Sequence, residues 1–229
     1  MCLAILIIAA WSFLHVQAVF FTDLAQLSQC VVMVTLLTWL SVGLFIVAHD
    51  AMHGSLCPVS QRAGDAIGAL ALLLYAGFSL TALRPKHHLH HRHPGSAEDP
   101  DFAPATPSQA SAWYARFMKT YFGLREMLVM AARVGIYLLL GASVENILLF
   151  FALPGVLSSL QLFYFGTFLP HRHAIDSNGL GQFADAHHAR SNDVGYLASL
   201  LSCFHFGYHH EHHLHPSTPW WRLPRLRQR

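Results

Sequence analysis

The histidines of this chain are the residues whose number and spacing point to chemistry. The 229 residues include 18 histidines, against 14 lysines and arginines together. Most of the histidines fall into five short runs, HDAMH, HHLHHRH, PHRH, AHHA and YHHEHHLH. A neutral imidazole is a good ligand for iron, zinc, copper and nickel. The runs therefore indicate a metal site.

Three of these runs have a helical spacing. Two histidines in the first run are four residues apart, and two later runs share the pattern H-x-x-H-H. Residues three and four apart lie on the same face of a helix. With one further histidine that directly follows an apolar run, they give nine candidate ligands: His49, His53, His87, His90, His91, His171, His209, His212 and His213. Nine ligands suffice for two metal ions with positions open for oxygen, whereas a single zinc ion would use three or four.

Other metal sites and hydrolytic sites do not match the sequence. The zinc-protease motif H-E-x-x-H would need a histidine at Leu214. None of the four glutamates is followed three residues later by histidine, as the carboxylate-bridged di-iron bundles require. There is no G-x-S-x-G elbow, and the four cysteines are dispersed. A histidine-rich, carboxylate-poor centre favours two iron ions that react with O2.

The composition predicts a membrane protein. The chain is 54% hydrophobic and 11% charged, whereas soluble domains carry about 25% charged residues. Four apolar runs approach the ~20 residues that a transmembrane helix needs: Met1–Phe21, Cys30–Ala48, Met127–Val144 and Ile147–Leu169. The last run is expected to be kinked or broken near Pro154. No linker divides the chain, so residues 1–229 are expected to form a single membrane-embedded domain.

A fifth apolar run, Ala66–Leu83, lies between two histidine clusters that must meet. A simple span would hold them apart by the bilayer core of ~30 Å. We therefore expect this run to be re-entrant, with a turn near Tyr75 to Gly77, and we expect Leu197–Phe206 to behave likewise. The fold class is thus an all-α integral membrane protein with four transmembrane helices plus re-entrant and interfacial helices.

The charges predict which side of the membrane carries the histidines. The connections 22–29 and 141–146 contain no lysine or arginine, while the basic residues share the side of the histidine runs. The positive-inside rule places those runs on the cytoplasmic side of a bacterial cytoplasmic membrane. A formal net charge of +2 gives no indication of a nucleic-acid partner.

Further residues are expected to support the site. Asp50 and Asp101 are the preferred partners for the second ring N–H of a ligand histidine, a contact that fixes the ring orientation. His15, alone in the first span, is expected to be a satisfied bundle histidine. Aromatic residues of the helices are candidates to line an apolar cavity: Phe45, Tyr75, Phe78, Phe163, Tyr164, Phe165 and Phe168.

Several segments resemble a known family. The segments HDAMHGSL, KHHLHHRHPG, EDPDF, FYFGTFLPHRH, CFHFGYHHEHHLHP and PWWRLP together resemble the bacterial β-carotene ketolases, within the superfamily of membrane fatty-acid desaturases and hydroxylases. The similarity covers roughly residues 11–224. The histidine boxes mark only the superfamily, whereas EDPDF, FGTFLPHR and PWWRLP point to the ketolases.

The resemblance implies a di-iron oxygenase that uses O2 as co-substrate. It would introduce a keto group at carbon 4 of the β-ionone rings, converting β-carotene through echinenone to canthaxanthin by two hydroxylations and a dehydration. The substrate would come from the bilayer and the electrons from a ferredoxin-type donor, since no flavin or nicotinamide fingerprint is present. The three histidine boxes of the family map to His49 and His53, to His87, His90 and His91, and to His209, His212 and His213, and His171 matches an isolated extra ligand.

Other functions stay open on the sequence. A carotenoid hydroxylase or a fatty-acyl desaturase or hydroxylase belongs to the same superfamily. A divalent-metal transporter would place its ligands near the bilayer midplane, whereas the boxes here lie at the ends of the spans. A metal-binding module without catalytic activity is a further alternative.

Overall fold

The computed structural model describes residues 1–173, 183–192 and 194–227. Within these ranges every regular element is helical, as expected. The elements are α1 (Cys2–Phe21), α2 (Leu27–Met52), α3 (Gln61–Ala76), α4 (Leu80–Arg92), α5 (Ala110–Tyr121), α6 (Leu124–Leu139), α7 (Val144–His171), α8 (Tyr196–Cys203), α9 (His209–Leu214) and a 3-10 helix (Trp220–Arg225).

Three of the described helices are long and apolar enough to cross a membrane. They are α1, α2 and α7, with 20, 26 and 28 residues. The helix expected at 127–144 is α6, which has only 16 residues and a length of about 24 Å. It ends early because the backbone turns at Gly141, where φ is +91°, although the apolar sequence continues. Four full spans are therefore not confirmed.

Helices α3 and α4 form a bent pair with an angle of 96° between them. The bend lies at Gly77, which adopts a left-handed conformation with φ of 71°, so the expected position of the turn is confirmed. Arg125 and Arg133 of α6 donate hydrogen bonds of 2.7 Å to the carbonyls of Gly77 and Leu74. These bonds satisfy carbonyl groups that the end of α3 leaves without a helical partner.

The long helix α7 contains two wide π-helical turns, Leu148–Ala152 and Tyr164–Phe168. Each is followed two residues later by a proline, Pro154 or Pro170. Proline has no N–H for the carbonyl four residues earlier, so the regular hydrogen-bond ladder is interrupted at these points. The interruption expected near Pro154 thus takes the form of a π turn inside a continuous helix, which ends at His171.

Helix α2 lies at the centre of the fold and packs against α1, α3 and α7. The turn after α8 packs against two of these helices through its aromatic rings. A Cβ atom added to Gly43 of α2 would lie 2.8 Å from the ring of Phe204, and one added to Gly166 of α7 would lie 2.5 Å from the ring of Phe206. The Phe206 ring in turn contacts His49, with ring centroids 4.7 Å apart. Close backbone approach therefore fixes the start of α9 beside the end of α2.

Substitution Gly166→Ala tests this close approach. The added methyl group would displace Phe206, and overpacking of this kind costs about 1–3 kcal/mol. We expect a lower midpoint of thermal unfolding in detergent, by about 2–4 °C per kcal/mol. The control is Gly155→Ala in the same helix, where an added Cβ has no neighbour within 4 Å. Equal midpoints for the two variants would contradict the packing role of Gly166.

Candidate metal centre

Four helices bring the nine predicted ligands to one end of the molecule. His49 lies in the last turn of α2, and His53 is its C-cap. The second box forms the last turns of α4, His171 is the last residue of α7, and the third box makes up most of α9. Because α2, α4 and α7 all end here, their side chains and those of α9 converge into two groups.

The first group is the five-histidine cluster, made of His49, His53, His87, His91 and His212. One potential ligand atom from each ring lies within 4.8 Å of the others. The Nε2 atoms of His53 and His87 are 2.7 Å apart, and those of His91 and His212 are 3.0 Å apart. The Nε2 atom of His49 is buried and has no hydrogen-bond partner among the described residues.

The second group is the four-histidine cluster, made of His90, His171, His209 and His213. Its Nε2 atoms point at one another. The distances are 2.9 Å between His171 and His209, 3.1 Å between His209 and His213, and 3.2 Å between His90 and His213. All four residues are at most 4% exposed. The cluster is thus shielded from solvent by the helices around it.

This arrangement fits a metal ion better than it fits hydrogen bonding alone. Two facing Nε2 atoms need a proton on one of them, and several that converge cannot all be satisfied in this way. Four nitrogens each about 2.1 Å from a shared ion in a tetrahedron would lie about 3.4 Å apart, close to the observed spacing. Burial, together with the neighbouring imidazoles, holds the pKa values of His209, His212 and His213 well below the ordinary value. The rings are therefore neutral, which metal binding requires.

The H-x-x-H-H pattern interleaves the two clusters. In α4, His87 and His91 belong to the five-histidine cluster, whereas His90, which lies between them, belongs to the four-histidine cluster. In α9, His209 and His213 belong to the four-histidine cluster, whereas His212 belongs to the five-histidine cluster. Residues at i and i+4 are about 40° apart around a helix, whereas i+3 and i+4 are about 100° apart. One helix face can thus serve two adjacent sites.

Contacts behind the ligands fix ring orientation. The Nδ1–H of His90 donates to both carboxylate oxygens of Asp99, each at 3.0 Å. The Nδ1–H of His171 donates to the carbonyl of His188 at 2.7 Å. Because a carboxylate and a carbonyl can only accept, these bonds leave the Nε2 lone pairs free to face the cluster.

The loop 94–103 is folded around Asp99. The carboxylate of Asp99 also accepts hydrogen bonds from the backbone N–H groups of Gly95 and Asp101, both at 2.8 Å. Burial alone would raise the pKa of Asp99, but these hydrogen bonds and the one from His90 hold it below the usual value. Asp99 is therefore an ionised acceptor for the ring of His90.

Asp101 lies close to a ring nitrogen of a candidate ligand, as expected, whereas Asp50 does not. Asp101 lies 3.8 Å from Nδ1 of His90 and accepts a hydrogen bond from the hydroxyl of Tyr121. Burial raises its pKa, and nearby Asp99 adds to this, although His90 opposes it. The two aspartates are two residues apart in E-D-P-D-F, and only the loop geometry tells them apart. The sequence therefore offered no signal that favoured Asp99.

Asp50 does not share the ligand face of α2. Its carboxylate accepts the backbone N–H of Trp220 at 3.4 Å. Consecutive helix residues point about 100° apart, so Asp50 cannot follow His49 into the cluster. Its contact joins α2 to the 3-10 helix instead. His15 is the bundle histidine that was expected: its Nε2 lies 2.8 Å from the hydroxyl of Tyr137.

A mostly apolar cavity of about 590 Å³ meets both clusters. Histidines of each cluster contribute to its wall: His49 and His87 of one, His90 and His209 of the other. Of the seven aromatic residues expected to line a cavity, Phe45, Tyr75 and Phe78 do so. Phe163 and Phe168 instead pack around Trp113 of α5, and Tyr164 and Phe165 also lie outside the lining. Tyr114, Phe117 and Tyr121 of α5 line the cavity without having been expected there.

Comparison with known proteins places the chain in a family. The sequence model of the fatty acid desaturase family matches residues 24–138 and 122–229. A "Beta-carotene ketolase" of Paracoccus sp. (strain N81106 / MBIC 01143) is 52% identical over 96% of this chain and 89% of that protein. A "Beta-carotene ketolase" of Paracoccus sp. (strain PC1) is 50% identical over 97% and 89%. A "Zeaxanthin 4-ketolase" of Chlamydomonas reinhardtii is 37% identical over 98% of this chain and 52% of that protein. The chain therefore belongs to the fatty acid desaturase family and is grouped by its sequence with the β-carotene ketolases.

Proposed function

We propose that this protein is a membrane-bound carotenoid 4-ketolase, which converts the carbon-4 methylene of a β-ionone ring into a ketone with O2. The observation that carries the proposal is the apolar cavity whose wall contains histidines of both clusters. A hydrocarbon ring in this cavity would lie directly against the candidate metal centre. The identity of 50–52% to bacterial ketolases supports the choice of substrate.

The nine clustered histidines are proposed to hold two iron ions, five ligands around one and four around the other. When bound, the iron ions supply the reduction of O2 to an oxidant that attacks an unactivated C–H bond. The protein holds nine imidazoles in place, with Asp99 and the carbonyl of His188 orienting two of them.

The overall reaction balances as two hydroxylations and a dehydration. Each hydroxylation consumes one O2, two electrons and two protons and releases one water. The second converts the alcohol into a geminal diol, which loses water to give the ketone. The four electrons must come from outside the chain, and a ferredoxin-type carrier at the membrane surface fits this need. The cavity must hold the alcohol in place for the second hydroxylation, since a misplacement of about 1 Å can cost ~10²-fold in rate.

The cavity can position the ring but offers the substrate little polarity. Its wall near the clusters combines the aromatic rings of Phe45, Phe78 and Phe206 with the hydroxyl of Tyr121 and the carboxylate of Asp101. An all-carbon ring gains from apolar contact at about 25 cal/mol per Å² buried. Once the ring carries a hydroxyl group, the polar groups of the wall that could hydrogen-bond it include Asp101, Tyr121 and Thr167.

The protein is proposed to lie in the bacterial cytoplasmic membrane with the metal centre at the cytoplasmic side. Three apolar helices support membrane insertion. In the topology expected from the sequence, the basic residues lie on the same side of the membrane as the histidine boxes. This charge bias supports the orientation. In this arrangement α3 and α4 enter the membrane and return, so that the second box reaches the first.

Expression in a bacterial host that makes β-carotene tests the reaction. We expect echinenone and canthaxanthin among the extracted pigments after chromatography, because the cavity presents the ring carbon to the metal centre. A host with the empty vector is the control. Zeaxanthin as the only new pigment would identify a hydroxylase instead. Unchanged β-carotene, with the protein and its iron verified, would refute oxygenation of this substrate.

Substitution His171→Ala tests the ligand assignment. It removes one of only four imidazoles from the four-histidine cluster, so we expect bound iron to fall from two ions per chain toward one and ketone production to be lost. The measurement is elemental analysis of the purified protein. The matched control is His215→Ala, which truncates an exposed histidine outside both clusters. Full iron content in the His171 variant would show that this residue is not a ligand.

A further inference from the structure

The cavity continues far beyond the histidine clusters. Its lining includes Thr167 of α7 near the metal centre and Leu148 near the other end of the same helix. These residues are separated by 19 positions, which corresponds to about 28 Å along a helix. Leu138 at the far end of α6 also lines it. The cavity therefore runs lengthwise between α6 and α7, over a distance close to the ~30 Å of the bilayer core.

This long part of the cavity, which we call the α6–α7 cleft, is apolar and open on one side. The described residues that line it are Met130, Val134, Leu138, Val144, Ile147, Leu148, Phe151, Ala152, Gly155 and Val156. Four of these side chains, at positions 138, 144, 148 and 156, are also 45–59% exposed. Residues that line the cavity and are also exposed on the surface of the protein mark an opening of the cavity. It faces outward between two apolar helices, where a membrane would supply lipid.

A glycine in the wall of the cleft has open space beside it. A Cβ atom added to Gly155 would meet no atom within 4 Å, although this residue is in the cavity wall. Neighbouring α7 positions that point away from the cavity, such as Leu157, do not line it. The cleft is thus a slot with one end at the candidate metal centre, one open side and no charged group among the described lining residues of this part.

We propose that the α6–α7 cleft binds the polyene chain of the carotenoid lengthwise and admits the substrate sideways from the bilayer. This rests on the proposed function, because it is the ketolase substrate that fills the cleft. A conjugated polyene is rigid, apolar and much longer than it is wide, which matches a straight slot without polar groups. The continuity of the cleft with the cavity at both histidine clusters fixes the end at which the ring reacts.

A bulky side chain in the cleft tests the proposal. Leu148→Trp fills the slot far from the metal centre, and Leu157→Trp is the control, since both residues are exposed leucines of α7 and only Leu148 lines the cavity. Each variant is purified from the β-carotene-producing host, and the carotenoid retained per chain is measured by absorbance, with iron content and kcat/KM for β-carotene. We expect Leu148→Trp to retain wild-type iron but to lose about tenfold or more in bound carotenoid and in kcat/KM.

A second pair of variants tests the cleft independently, in case a tryptophan variant of the first pair misfolds. Gly155→Leu and Gly135→Leu both extend a helix glycine that has no neighbour within 4 Å, but only Gly155 lines the cavity. We expect only the Gly155 variant to lose carotenoid. Carotenoid binding and kcat/KM equal to those of the control in both pairs would overturn the cleft as the polyene site. Absence of ketone from the wild-type protein would refute the proposed function instead, so the two failures are distinguishable.

Discussion

The convergence of nine imidazoles, six of them buried, is the constraint on which the rest of the structure depends. Neutral rings packed with their Nε2 lone pairs facing one another repel unless something shares those lone pairs. Helix ends from four separate parts of the chain must therefore be held together firmly. The π turns of α7, the bend at Gly77 and the close approach of Phe206 to Gly166 are all geometric means to this end.

The interleaving of the clusters ties their positions to each other. Helices α4 and α9 each contribute to both clusters through adjacent residues, so a rotation of either helix would disturb both at once. The hydrogen bonds from His90 to Asp99 resist such rotation of α4, and the bond from His171 to the carbonyl of His188 fixes the ring at the end of α7. The loop around Asp99 holds its carboxylate in one position through the backbone N–H groups of Gly95 and Asp101.

The spacing of the histidines and the hydropathy of the chain predicted the candidate ligands and the long apolar helices. The remaining features depend on tertiary contacts. The i, i+4 and H-x-x-H-H offsets identified the histidines that the structure brings together, and hydropathy located α1, α2 and α7. The division into two clusters was not readable, since it depends on how α4 and α9 are rotated relative to each other. The end of α6 was misplaced because Gly141 stops the helix inside an apolar run. Which of Asp99 and Asp101 accepts the N–H of His90 is decided by the fold of the loop that contains both.

We propose that the interleaved histidines hold two metal ions in nitrogen-rich surroundings. This proposal is tested most directly by X-ray absorption spectroscopy at the iron edge, combined with elemental analysis, on the protein purified without oxygen. We expect two iron ions per chain, each coordinated mainly by imidazole nitrogen. A single ion per chain, or a shell dominated by carboxylate oxygen, would contradict it.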